Sequence, residues 1–310
     1  MLRHWAITVT AVLALTGRVE HGSLFAQSPR PAFRAGVDLV SLSVTVIDPA
    51  QRYVTDLTRD DFEVFENGSP QRLTFFGRTD VPLAMALLLD TSASMEEALP
   101  AAQEAAIGFI RELGPADVAT VIDFDSRVNI AQDFTSNAAN LERAILRTSA
   151  DGSTALYNAV YIALKELNRT RVQDDAPRRR AIILLSDGED TASLVEFDEV
   201  LDLASRSDTA IYAIRLSAGA DPRPRGRRPD ATFILRQLTQ QTGGRAFFPL
   251  RTAELADVYG DIRHELSSQY SLAYESNSPR ADRRFRRITV RVNRAGATIR
   301  TRQGYYAAGD

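Results

Sequence analysis

Apolar and polar positions follow two different rhythms along this chain. Between Val37 and Phe76 they alternate over short runs. The stretch "VDLVSLSVTVID" has the period of a strand with one buried face, and "FEVFENGSPQRLTFF" is two such runs about Asn67-Gly68. That dipeptide between alternating runs predicts a β-hairpin. No long helical stripe intervenes, and Val81-Pro82 marks a boundary.

From Leu83 the rhythm changes. "LAMALLLD" is a continuous apolar run, the pattern of a strand covered on both faces. A helix is expected from about Met95 to Leu113, then a buried strand in "DVATVIDF". "AANLERAILR" and "ALYNAVYIALKEL" have helical spacing. "AIILLSDG", "TAIYAIRLS" and the short "RAFFPL" predict strands, separated by helices in "EFDEVLDLASRS" and "ATFILRQLTQQTGG". Gly243-Gly244 is a stop signal for the second of these helices. "TAELADVYGDIRHELSSQ" predicts a last helix. Strands alternating with helices predict an α/β fold, a doubly wound and mostly parallel sheet. From Tyr270 the chain returns to strands, in "YSLAYES", "FRRITVRVN" and "ATIRTRQGYY".

These rhythms divide the chain into residues 33–80, 81–267 and 268–308. Each β flank is too small to bury much surface alone and would carry open strand edges. The two flanks are therefore expected to combine into one small β-rich domain, with the α/β domain inserted between them. Ahead of them, "MLRHWAITVTAVLALTGRVEHGSLFAQSP" has a basic start at Arg3 and His4 and an apolar core from Trp5 to Leu15. That core is short of the ~20 residues of a membrane span. Residues 1–26 are expected to be a signal peptide cleaved near Ala26, giving a secreted or periplasmic product with no stable membrane span. A retained anchor is the alternative.

Composition narrows the chemistry. Of 310 residues, 44% are hydrophobic and 25% charged, with a formal net charge of -3. No strongly basic face is indicated, so nucleic acid is not an expected partner. Almost all the positive charge is Arg, and Lys165 is the single Lys. There is no Cys, which excludes disulfides, thiolate metal sites and thiol nucleophiles. His4, His21 and His264 are the only histidines, and the first two fall in the leader.

Asp90 ends the apolar run, with Ser92 and Ser94 at alternate positions after it. Asp187 follows the strand "AIILLS", and Thr154 in "ADGSTALYNAV" stands just before a helix. Open α/β sheets bind ligands beyond the carboxyl ends of their strands. Asp90, Ser92, Ser94, Thr154 and Asp187 can therefore converge at one rim. The set is all oxygen, which suits a hard divalent cation such as Mg²⁺ or Mn²⁺. Two carboxylates against a 2+ charge leave the site near neutrality, so the metal can accept one more anionic oxygen from outside.

"DTSAS" resembles the DxSxS signature of the von Willebrand factor A domain, in its metal-ion-dependent adhesion site. Thr154 in "DGSTAL" and Asp187 in "SDG" match the Thr and Asp that complete that site. The resemblance covers roughly residues 83 to 265. It implies that Ser92, Ser94 and Thr154 coordinate the metal directly or nearly so, that Asp90 and Asp187 act largely through water, and that an Asp or Glu carboxylate from a protein partner takes the open position. "VTDLTRDDFEVFENGSPQRLTFF" and "SSQYSLAYESN…FRRITVRV…TRQGYYA" are similar to exported bacterial proteins related to that family.

Other residues carry weaker signals. Glu96 and Glu97 suit the start of a helix, where negative charge is favoured. Asp123 and Asp125 read as loop acids, Glu189 and Asp190 as helix-capping residues, and His264 as structural. Tyr157 and Phe124 read as core, and Tyr305 and Tyr306 as packing at the last strand. The arginine-rich stretches 174–180 and 221–229 read as solvated loops.

The expected function is metal-dependent protein binding, for adhesion or assembly, without catalysis. A structural envelope component whose metal stabilises the fold is one alternative. A Mg²⁺-dependent phosphoryl-transfer enzyme is another. That class needs a second acid two residues after the nucleophilic Asp and a phosphate-neutralising Lys. Here the second position is Ser92, and Lys165 falls within a helix. A serine hydrolase fits less well, since "TSASM" is not a nucleophile elbow.

Overall fold

The computed structural model describes residues 39–78, 81–173, 178–216, 230–278 and 284–307. The leader with its expected cleavage point, residues 174–177 and the arginine-rich stretch 221–229 lie outside the described residues; of the other stretch expected as a solvated loop, Arg179 and Arg180 instead open a strand, and Arg180 is buried and paired with Asp208.

The first flank forms β1 (Leu39–Ile47), β2 (Phe62–Glu66), β3 (Ser69–Gln71) and β4 (Leu73–Gly77). The α/β segment follows as β5 (Leu83–Asp90), α1 (Leu99–Arg111), β6 (Val118–Phe124), β7 (Val128–Thr135), α2 (Ala138–Leu146) and α3 (Leu156–Gln173). It continues through β8 (Arg179–Ser186), α4 (Phe197–Arg206), β9 (Thr209–Arg215), α5 (Ala231–Thr242), β10 (Ala246–Phe247) and α6 (Leu255–Ser268). The last flank gives β11 (Tyr270–Glu275), β12 (Phe285–Val292), β13 (Thr298–Arg300) and β14 (Gly304–Tyr306).

The α/β segment is the expected doubly wound sheet, in the order β10-β9-β8-β5-β6-β7. Every residue of β5 is buried. Its odd-numbered side chains, Met85, Leu87 and Leu89, pack with α1, α2 and α6. The even-numbered Ala84, Ala86 and Leu88 pack with α3, α4 and α5. The period-2 pleat thus feeds two cores at once, which is why the run carries no polar residue before Asp90.

Two details depart from the sequence expectation. Strand β7 was not foreseen, and it pairs antiparallel with β6 at the sheet edge. Its mixture of half-buried and exposed positions hides the strand period. Helix α1 begins at Leu99 instead of Met95, because residues Ala93–Met95 form a separate 3-10 turn and Pro100 occupies the helix's first turn.

The flanks interlock. One antiparallel sheet has the order β13-β1-β11-β4 and the other β14-β12-β2-β3, so each draws strands from both ends of the chain. Val40, Leu42, Val44, Phe62, Val64, Tyr270, Leu272, Ile288 and Val290 share one core between them. The β2–β3 turn has Asn67 at φ 49° and Gly68 at φ 83°, the left-handed pair that a two-residue hairpin requires. "ATIRTRQGYY" yields two strands in different sheets, β13 and β14, because the chain crosses over beside the end of α5.

That crossing explains Gly243-Gly244. Gly243 closes α5 at φ 80°, and a Cβ there would lie 2.6 Å from the Arg302 backbone nitrogen. A Cβ on Gly244 would lie 1.9 Å from the Ile211 carbonyl oxygen of β9. Gly244→Ala is therefore expected to cost about 3 kcal/mol or more, since rigid backbone has to move. A shift of the urea midpoint measures it, and an unchanged midpoint would show that the strand yields freely.

Helix α6 runs into β11 with one residue between them and carries a buried charge at the junction. Glu265 is fully buried and accepts hydrogen bonds from Tyr212 (2.8 Å) and Tyr53 (3.3 Å). It also pairs with Arg300 of β13. Burial and the Glu265 charge push the Tyr53 hydroxyl up to about 12. One carboxylate thereby ties the last helix of the α/β segment to the β-rich part.

Candidate metal centre

Asp90 and Ser186 are the last residues of β5 and β8, which pair in parallel with Leu89 opposite Leu185. The register brings the two side chains together, and the Ser186 hydroxyl donates to Asp90 Oδ2 at 2.5 Å. Asp90 Oδ1 accepts from the Ser92 amide at 2.9 Å, which bends the chain off the strand. The Ser92 and Ser94 hydroxyls lie 3.1 Å apart. Ser94 Oγ donates to Asp187 Oδ2 at 2.7 Å, and Asp187 Oδ1 accepts the Glu189 amide at 3.0 Å. Asp90, Ser92, Ser94 and Asp187 therefore form one continuous polar chain at the carboxyl rim.

Thr154 joins through its backbone. The Asp151 amide donates to the Thr91 carbonyl (2.8 Å), and the Ala93 amide to the Gly152 carbonyl (3.1 Å). On the other side the Thr191 and Ala192 amides donate to the Thr154 carbonyl at 2.8 and 2.9 Å. The Thr154 amide in turn donates to the Thr191 hydroxyl at 2.9 Å. The loop bearing Thr154 is thus stitched between the loops bearing Ser92 and Asp187.

Electrostatics set this rim apart. Asp90, Ser92, Thr154 and Asp187 are each no more than 5% exposed, whereas Ser94 is exposed and opens the cluster to solvent. Neither Asp90 nor Asp187 has an Arg, Lys or His ion-pair partner among the described residues. Burial pushes the Asp90 carboxyl up to about 6, against the hydrogen bonds from Ser186 and Ser92, and the Asp187 charge adds to the rise. Buried carboxylates are ordinarily paired with a cation or bound to a metal. An all-oxygen set with two acids and three hydroxyls fits a hard divalent cation. Among the described residues no group of three or more His, Asp or Glu could hold a metal, so any metal here needs the hydroxyls.

Three supporting residues escaped the sequence reading. Ser186 reads as the last apolar-strand position until its pairing with Asp90 is known. Thr191 supplies the hydroxyl that holds the Thr154 loop. Arg215, ending β9, donates to the Asp187 carbonyl at 2.9 Å and to the Thr232 hydroxyl at 3.0 Å. None belongs to a spaced motif, so only the strand register could have found them.

The weaker candidates take ordinary positions. Asp190 accepts the Tyr157 amide at 3.1 Å and so caps the start of α3. Asp123 accepts from Asn129 at 2.9 Å, and burial raises its carboxyl. Asp125 accepts the Arg127 amide at 2.7 Å, while its carbonyl takes the Ala155 amide at 2.6 Å and braces the Thr154 loop. Lys165 lies on α3 over the Tyr161 ring at 5.2 Å. His264 packs edge-on to Tyr53 at 4.9 Å. Phe124 is fully buried, and Tyr157 packs against Phe197 at 5.6 Å.

Residues 85–189, which hold all five rim residues, match the family model of the von Willebrand factor type A domain. The chain contains a von Willebrand factor type A domain. Among solved structures, the fold is similar to a von Willebrand factor type A protein from Catenulispora acidiphila, with a TM-score of 0.51 and 12% identity. That match covers 86% of this chain and 73% of the other. It is also similar to proximal thread matrix protein 1 of the mussel byssus, solved with a zinc-occupied metal-ion-dependent adhesion site. There the TM-score is 0.51 and the identity 16%, over 66% of this chain and 50% of that one. At these identities the likeness concerns the fold. An uncharacterised protein of Synechocystis is 34% identical over 112 residues, or 35% of this chain. The match spans 26% of that relative, about a quarter of its length.

Proposed function

We propose that this von Willebrand factor type A domain is a non-enzymatic binding module of an exported protein. Asp90, Ser92, Ser94, Thr154 and Asp187 would hold Mg²⁺ or Mn²⁺, leaving a coordination position for an Asp or Glu carboxylate of a protein partner. The observation that carries this reading is the pair of buried carboxylates without an ion-pair partner among the described residues. A divalent ion supplies the missing charge, and a near-neutral site with exposed Ser94 still has attraction for one further anionic oxygen. The zinc-occupied site of the byssus protein supports a divalent cation in this position of the fold. Export rests on the leader pattern in the sequence. Among the described residues no helix is long and apolar enough to cross a membrane.

Immobilised full-length protein should retain an envelope protein in Mg²⁺ and release it with chelator. Neutralising one acidic residue of that protein should abolish retention. Retention that survives the chelator would reject the reading.

A further inference from the structure

Both oxygens of Asp90 are committed within the chain. Oδ1 accepts the Ser92 amide at 2.9 Å, and Oδ2 accepts the Ser186 hydroxyl at 2.5 Å. Ser186 is fully buried and is itself fixed from the other side. Gly188, at φ 83°, turns its amide back and donates to the Ser186 oxygen at 2.9 Å. A Cβ on Gly188 would lie 2.9 Å from the Ala231 Cβ at the start of α5, so the turn that supplies this amide is itself closely packed. The amide occupies a lone pair of the Ser186 oxygen, and the single hydroxyl proton goes to Asp90.

Each carboxylate oxygen keeps a second lone pair, so Asp90 can still accept from water. It cannot turn to present both oxygens to one cation. Asp187 is held alike, with Oδ1 accepting the Glu189 amide at 3.0 Å and Oδ2 the Ser94 hydroxyl at 2.7 Å. The two holds differ in kind. Ser94 is exposed and belongs to the rim set, whereas Ser186 is buried and stands outside it. The difference bears on which ion the rim suits. Ca²⁺ takes more oxygens in a flexible geometry and favours bidentate carboxylates, while Mg²⁺ requires a compact octahedron and retains water.

We infer that Ser186 is a positioning residue that selects the ion: by holding Asp90 Oδ2 it withholds a bidentate carboxylate, and so makes the rim suit Mg²⁺ over Ca²⁺. This rests on the metal-binding reading above and adds a determinant outside the five rim residues. Without the hydroxyl, Oδ2 loses its donor, and the space left by one oxygen is too small for a water to take over. Asp90 then becomes free to offer both oxygens, which favours Ca²⁺, and loses the fixed orientation toward water that favours Mg²⁺.

The test is calorimetric titration of Mg²⁺ and of Ca²⁺, separately, into the full chain. Wild type should bind Mg²⁺ more tightly than Ca²⁺. In Ser186→Ala the Mg²⁺ affinity should fall ~10-fold, as for other groups that orient a metal ligand, with Ca²⁺ affinity within ~2-fold of wild type. The preference therefore drops by ~5-fold or more. Ser186→Thr, which keeps the hydroxyl, should hold the preference within ~2-fold of wild type. If Ser186→Ala does not fold by circular dichroism, Ser186→Cys fills the space with only a weak donor and should show the same drop. Equal weakening of both ions in a folded Ser186→Ala or Ser186→Cys protein would mean that Ser186 only props the loop. A folded Ser186→Thr protein that loses the preference would mean that size, not the hydroxyl, sets it. Either result, or a wild type that prefers Ca²⁺, would overturn this inference and leave the metal reading standing. Binding of neither ion by wild type would overturn both.

Discussion

Asp90→Ala is expected to lower Mg²⁺ and Mn²⁺ affinity by ~100-fold or more, close to 3 kcal/mol. The substitution removes one of two charges at the rim. It also removes the acceptor that fixes the Ser92 amide at 2.9 Å and the Ser186 hydroxyl at 2.5 Å. The metal-free protein should nevertheless keep nearly its full stability. Leaving those two donors unpaired costs about 1–3 kcal/mol each when they stay dry. Against that, the variant no longer buries a carboxylate that desolvation disfavours. Ser92→Ala should weaken the metal by only ~10-fold, because water can replace a neutral oxygen ligand. Calorimetric titration of both cations, with circular dichroism as the control, decides the matter. Equal affinity in wild type and a folded Asp90→Ala protein would remove the site.

The parts of this molecule that were legible in the sequence are those written in local pattern. The unbroken apolar run 83–89 announces a strand covered on both faces, and Asn67-Gly68 announces its hairpin. The five rim residues are legible because Asp90 and Asp187 close or directly follow apolar strand runs, and Ser92, Ser94 and Thr154 complete with them the spaced pattern that resembles the adhesion-site signature. What stayed hidden depends on which chain segments meet. Ser186 faces Asp90 only through the β5–β8 register, and Glu265 is one more helix acid until Tyr212, Tyr53 and Arg300 close over it. Strand β7 is hidden for a different reason. At the edge of the sheet it needs only one paired side, so its sequence carries little of the apolar signal that marks β5.

Glu66→Gln is expected to destabilise the protein by about 3 kcal/mol at neutral pH, although the residue lies far along the chain from every rim residue. Glu66 ends β2, just before the hairpin turn, and is 1% exposed. Its carboxylate accepts from Tyr274 (2.8 Å), Tyr305 (2.9 Å), Ser276 (2.8 Å) and Ser278 (2.6 Å). Arg286, equally buried, stands 3.7 Å away and donates to Ser276 and Tyr305. These groups come from β2, β11, β12, β14 and the segment after β11, so one carboxylate joins strands of both sheets and both flanks. Burial alone would raise the Glu66 carboxyl, but the four hydroxyls outweigh it and hold the group below its ordinary value of 4.5. A depressed folded value means that the ionised form stabilises the fold above the unfolded value, and that this contribution is lost as pH falls through the folded one. Wild type should therefore lose stability below about pH 4.5, while Glu66→Gln, which has no proton to take up there, should lose less. The two urea-denaturation curves should converge as the pH drops. Tyr274→Phe, which removes one hydrogen bond and keeps the ring, should cost only about 1–2 kcal/mol and retain the acid-dependent loss. A constant gap between wild type and Glu66→Gln from neutral pH into the acid range would mean that the amide merely packs poorly, and that the charge of Glu66 does not hold the two sheets together.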